Sequence, residues 1–138
     1  MTTKTTSRSI KSVAIAVAAA AIVVSGLPEA PRPACAAEPI SFAEDVMPIF
    51  RGRCVSCHAP GAEGTEKSGL DLTTYEGVMK GTKHGPMVIP RDPDSSNLMW
   101  LLDWRASAEV RMPHGKKKLS TCDRDAIRAW IREGAKNN

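Results

Sequence analysis

The pentapeptide Cys54-Val55-Ser56-Cys57-His58 constrains this chain more than any other stretch. A C-x-x-C-H spacing reads as a site where a c-type haem is attached covalently. Two cysteines three apart on a helical turn lie on one side of the chain, where their sulfurs reach two vinyl groups of one porphyrin. His58 follows directly, so an imidazole nitrogen is held under the ring to bind the iron. Attachment at two points keeps such a cofactor in place even in a small fold.

Other chemistries use the same residues. A dithiol of thioredoxin type follows a strand in a βαβ unit, whereas Ser41 to Arg53 reads as a short helical segment. A zinc site needs two further ligands at matching spacing. Cys122, His84 and His114 are present but form no second knuckle. The tight spacing also disfavours a plain Cys54–Cys57 disulfide. Haem is the preferred reading, with zinc and a redox dithiol as its rivals.

At 138 residues the chain has room for one domain. Its first 37 residues read as an export signal: Lys4, Arg8 and Lys11 form a basic start, and Ser12 to Val24 is almost unbroken apolar sequence. Ala34-Cys35-Ala36-Ala37 supplies an A-x-A-like cleavage context. The apolar run is short of the roughly 20 residues a membrane span needs, so cleavage is preferred to an anchor. Arg32-Pro33-Ala34 is a poor lipobox, which disfavours lipid attachment at Cys35. The working domain is then residues 38–138, in an oxidising compartment such as the periplasm. The overall charge of +4 falls there to 15 basic against 14 acidic side chains, or +1, which gives no support to nucleic-acid binding.

Along the domain, Ser41 and Glu44 stand at capping-box spacing, and Phe42, Val46, Ile49 and Phe50 recur at helical spacing. Pro48 should kink or restart that helix. Ala59 to Gly69 reads as a loop, and Thr73 to Met79 as a short helix capped by the Thr73/Glu76 pair. Gly81 to Pro93 is turn-rich. A helix from Asp94 or Ser95 carries Leu98, Leu101 and Leu102, with Trp100 and Trp104 on a neighbouring face. Core packing or pocket lining is preferred for these two rings over electron relay. Ala106 to Leu119 is an irregular loop, and the last helix is capped by Ser120/Asp123, striped by Ile127, Trp130 and Ile131, and stopped at Gly134. No strand pattern is visible; the fold class is all-α with long loops.

These residues together resemble a class I c-type cytochrome, and more narrowly the planctomycete-type cytochrome c domains. The matching stretches are Asp45-Val46-Met47-Pro48-Ile49-Phe50, Gly69-Leu70-Asp71-Leu72, Ile89-Pro90-Arg91-Asp92-Pro93, Arg111-Met112-Pro113 with Leu119-Ser120, and Trp130 to Ala135. Arg91 stands where a glycine is expected, and His114 where a second proline is common. The resemblance implies helices wrapped around one covalently bound haem c. It also implies thioethers at Cys54 and Cys57, His58 as proximal iron ligand and Met112 as distal ligand. A thioether must come from a segment that folds over the far face of the ring, and Met112 lies in an irregular loop. Met47 precedes the motif, Met79 and Met99 fall on helices, and Met87 is in a mid-chain loop. His114 and His84 are the competing ligands; a bis-histidine site would have a lower potential.

With both axial positions filled no place is left for substrate, and no catalytic constellation accompanies the motif. The expected function is single-electron transfer, as a free carrier or as the haem subunit of an oxidoreductase complex. Its partners would be redox proteins: a dehydrogenase, an oxidase or a respiratory complex. No membrane span is expected after signal cleavage. The rival is a ligand-binding haem protein, a gas sensor or a peroxide-reactive site, with a weak or absent distal ligand. In cytochromes c′, which do this, the attachment motif lies near the C-terminus rather than near the mature N-terminus. Arg111 and Lys116 to Lys118 suggest a basic surface for an acidic partner. Cys122, left over once haem is attached and Cys35 removed, reads as a small buried side chain, with a reactive thiol or intermolecular disulfide as the minority readings.

Overall fold

Ser41 caps the first helical turn, accepting a hydrogen bond from the Glu44 backbone N–H through its hydroxyl. The carboxylate that returns to the Ser41 N–H belongs to Asp45, not Glu44, at 2.8 Å. The extra residue fits the wider π-helical turn that the chain makes over Phe42–Val46. An α-helix then restarts at Met47, with Pro48 in its first turn, where a missing N–H costs nothing. This computed structural model describes Met1 and residues 39–138. The expected signal segment, Cys35 included, lies outside the described residues.

The helices in order are α1 (Met47–Arg53), α2 (Glu63–Ser68), α3 (Tyr75–Lys80), α4 (Asn97–Leu102) and α5 (Thr121–Arg132). Among the described residues no strand forms; the sole pairing of that kind is an isolated bridge between Thr82 and Gly85. The architecture is all-α, as expected. Helix α2 was not expected. It buries none of its residues, so it leaves no apolar period to read, and it ends at Gly69 in a left-handed conformation (φ 80°). Helix α3 starts later than its sequence suggests, because Thr74 rather than Thr73 caps it, accepting from Gly77 N–H.

Helix α5 is the spine of the domain. Ser120 caps it as expected, and Ala126, Ile127, Trp130 and Ile131 form the buried stripe. This stripe packs against the π-helical turn and α4. Phe42 sits 5.2 Å from both Trp130 and Tyr75, centroid to centroid. The Trp130 indole donates to the Lys136 carbonyl at 2.8 Å and the Tyr75 hydroxyl to the Ala135 carbonyl at 2.8 Å, so both polar tips are satisfied. Asn138 closes the unit: its backbone carbonyl accepts from Ala43 N–H, its side-chain oxygen from Phe42 N–H, and its amide donates to Ile40 O. The segments around Ile40 to Ala43 and around Trp130 to Asn138 thus form one packed layer, and the residues between them wrap around a cavity.

Two expectations about single residues are corrected. Helix α4 ends at Leu102, and Trp104 lies in the following turn with a left-handed backbone (φ 62°). Trp100 is 42% exposed, and neither tryptophan belongs to the core or lines the cavity. Cys122 is exposed instead of being a small buried side chain. The buried stripe of α5 begins one turn further on, at Ala126.

Candidate haem site

Helix α1 delivers the attachment loop. Cys54 and Val55 N–H groups both donate to the Phe50 carbonyl, and Cys57 and His58 N–H groups both donate to the Cys54 carbonyl at 3.0 Å. Cys54 to His58 is therefore a tight helical turn, the geometry that brings both sulfurs and the imidazole to one place. Cys54, Cys57 and His58 all line a single cavity of about 340 Å³. Its walls include Phe50, Leu70, Leu72, Leu98, Leu101 and Leu102, an apolar set suited to a flat porphyrin face.

His58 is 9% exposed, and its ring orientation is fixed from behind. Nδ1 lies 3.2 Å from the Leu70 carbonyl oxygen. A carbonyl only accepts, so Nδ1 carries the proton and Nε2 keeps its lone pair for a metal. The Leu70 carbonyl also accepts from the Thr65 hydroxyl at 2.9 Å, and the His58 carbonyl from Leu72 N–H at 2.8 Å. The strip from Leu70 to Leu72 thus holds both the backbone and the ring of His58.

The thiols bear on the rival readings. Burial pushes the Cys54 thiol up to about 11, against smaller opposing effects of Arg53 and Lys116. A redox dithiol needs the opposite, a stabilised thiolate, and among the described residues no strand provides a βαβ setting. No cluster of three or more His, Cys, Asp or Glu side chains able to hold a metal ion occurs among the described residues. Zinc therefore has no ligand set there.

The cavity narrows the choice of distal ligand. Of the methionines, Met87 and Met112 line it; Met47 and Met99 are buried in the core, and Met79 packs against that core. His114 lines the mouth and is exposed, while His84 does not line it. Met112 is half-buried and carried by a loop, whereas Met87 is part of the buried core cluster. Met112 N–H donates to the Leu101 carbonyl at 3.2 Å, and the Met112 carbonyl accepts from the Trp104 indole at 2.8 Å. The loop is tied to the attachment turn as well, through Lys116 Nζ donating to the Ser56 hydroxyl at 3.3 Å. The sequence offered no sign of the Trp104 and Leu101 contacts, which depend on where α4 stops.

The residues fit covalently bound haem: two sulfurs and an oriented imidazole on one wall, apolar walls, and a soft donor on a separate loop. Fold and site define a small class I cytochrome c-like domain. Over residues 54–114 the chain matches the family model described as Planctomycete cytochrome C. The matched stretch spans all four expected site residues. No curated protein and no solved structure matches the chain. The cytochrome c family implies covalently bound haem c and, typically, an electron carrier working with redox partner proteins. Among the described residues no helix is long and apolar enough to cross a membrane.

Proposed function

We propose that residues 38–138 are a monohaem electron carrier of the periplasm, exported by the signal at residues 1–37. The observation that carries this reading is the convergence of Cys54, Cys57, His58 and Met112 on one apolar cavity. Haem c bound there supplies a one-electron ferric/ferrous couple. Cys54 and Cys57 tether it, and His58, oriented by the Leu70 carbonyl, presents Nε2. Met112 presents a thioether, which favours a higher potential than a second histidine would. The leucines and Phe50 exclude water, so the surroundings rearrange little when charge changes.

The test is the ferric absorption spectrum of the haem-loaded protein. A weak red charge-transfer band, characteristic of methionine ligation, is expected, and Met112→Ala should abolish it. A haem spectrum without that band, accompanied by ready carbon monoxide binding to the ferrous form, would replace the carrier with an open ligand-binding site. A mature chain found in the cytoplasm with its first 37 residues intact would overturn the export reading.

A further inference from the structure

We infer that Trp104 is the positioning residue of the distal loop: its indole N–H holds the Met112 carbonyl and thereby governs how readily Met112 is displaced from the iron. The inference rests on the reading of Met112 as distal ligand. Both backbone polar groups of Met112 are tied to the end of α4, the N–H to the Leu101 carbonyl at 3.2 Å and the carbonyl to Trp104 Nε1 at 2.8 Å. Two anchors on one residue restrict the backbone on either side of its Cα, and so restrict where the thioether can reach.

The indole is itself held. The Arg111 guanidinium stacks over its ring at 4.0 Å, and Lys118 Nζ lies 5.8 Å from the ring centroid. The Trp104 backbone adopts φ 62°, a conformation that costs a tryptophan energy and persists only where its surroundings impose it. Its neighbour Asp103 supplies that imposition: the carboxylate receives Arg124 at 2.7 Å and Arg128 at 2.6 Å, and its carbonyl receives Lys118 Nζ at 2.6 Å. Helix α5 thus holds Asp103, the turn holds Trp104, and Trp104 holds Met112. Exposed Trp100, stacked with Arg105 but absent from the cavity, has no such connection.

The test uses the haem-loaded ferric protein and imidazole as a competing ligand, read by loss of the red charge-transfer band. Trp104→Phe keeps a ring for Arg111 and removes the N–H. It should retain the band without imidazole and bind imidazole roughly tenfold more tightly than the parent, as expected for losing one hydrogen bond. Trp100→Phe should bind it as the parent does. Equal imidazole affinity in Trp104→Phe and the parent overturns the inference. Should Trp104→Phe fail to fold by circular dichroism, Arg111→Gln carries the test, since it releases the ring and leaves the N–H. A several-fold gain is then expected, and none overturns it. A parent protein without the band, or a band that survives Met112→Ala, removes the distal-ligand reading and this inference with it.

Discussion

Gly64 packs so closely on the attachment turn that a Cβ there would stand 2.6 Å from the Cys57 carbonyl oxygen and 3.1 Å from His58 Cε1. The next residue, Thr65, donates its N–H to that same carbonyl at 3.1 Å. Helix α2 is therefore a backing for the Cys54–His58 turn, and its lack of a side chain at position 64 is what permits the approach.

Gly64→Ala should consequently destabilise the protein although alanine favours helices. The propensity gain is about 1 kcal/mol, and overpacking against rigid backbone costs about 1–3 kcal/mol. A net loss near 1 kcal/mol is expected, with a lower yield of haem-loaded protein. Gly52→Ala is the control: it lies in α1 with nothing within 4 Å of a new Cβ, so it should stabilise by up to about 1 kcal/mol. Urea midpoints of the two variants moving in the same direction would contradict the argument.

Asp103 joins α4 to α5. Burial raises its carboxyl, but the hydrogen bonds and charges of Arg128 and Arg124 outweigh that and hold it below its ordinary 3.8. A depressed carboxylate stabilises the fold above the unfolded-state pKa and loses that contribution as pH falls through the folded one. Asp103→Asn should therefore cost about 1–3 kcal/mol at neutral pH, and its stability should converge with the parent's as pH drops below 3.8. Thermal melts across that acid range check it; a constant gap between the two proteins would be the contrary result.

What was legible in the sequence follows from range. The C-x-x-C-H turn, the Ser41 and Ser120 caps and the stripe of α5 are local patterns, and each carries its own period or spacing. Helix α2 has no buried face, so its only marks are the Glu63–Lys67 pair and the left-handed Gly69, weak signals in a glycine-rich stretch. The four-residue spacing of Trp104 from Trp100 fits a helix, and nothing local announces that α4 stops at Leu102. That Met87 and Met112 line the cavity while Met47, Met79 and Met99 do not depends on contacts across the fold, which spacing does not encode.

Arg91, where the resembled family leads one to expect glycine, adopts φ 70°. Its N–H donates to the Ile131 carbonyl at 2.7 Å, satisfying an acceptor at the end of α5, so the conformation is kept for that bond. A left-handed non-glycine residue costs roughly 1–2 kcal/mol, against roughly 0.5–1 kcal/mol for the added chain entropy of glycine. Arg91→Gly should raise stability by about 0.5–1 kcal/mol. Differential unfolding in urea measures it, and a loss of stability would mean that the Arg91 side chain contributes more than its backbone strain costs.

The basic run beside the cavity separates into different duties. Lys118 is half-buried and committed to the Asp103 carbonyl, and Lys116 reaches Ser56 of the attachment turn, while Lys117 is exposed. If this edge steers an acidic redox partner, Lys117→Glu should slow bimolecular electron transfer several-fold at low ionic strength and leave the melting temperature unchanged. Lys118→Glu should instead lower the melting temperature, since it removes a half-buried donor. For the parent, the rate should fall as salt shortens the screening length from about 30 Å at 0.01 M to about 8 Å at 0.15 M. Rates independent of salt, with Lys117→Glu equal to the parent, would leave the lysines as a solvated loop and place the docking surface elsewhere.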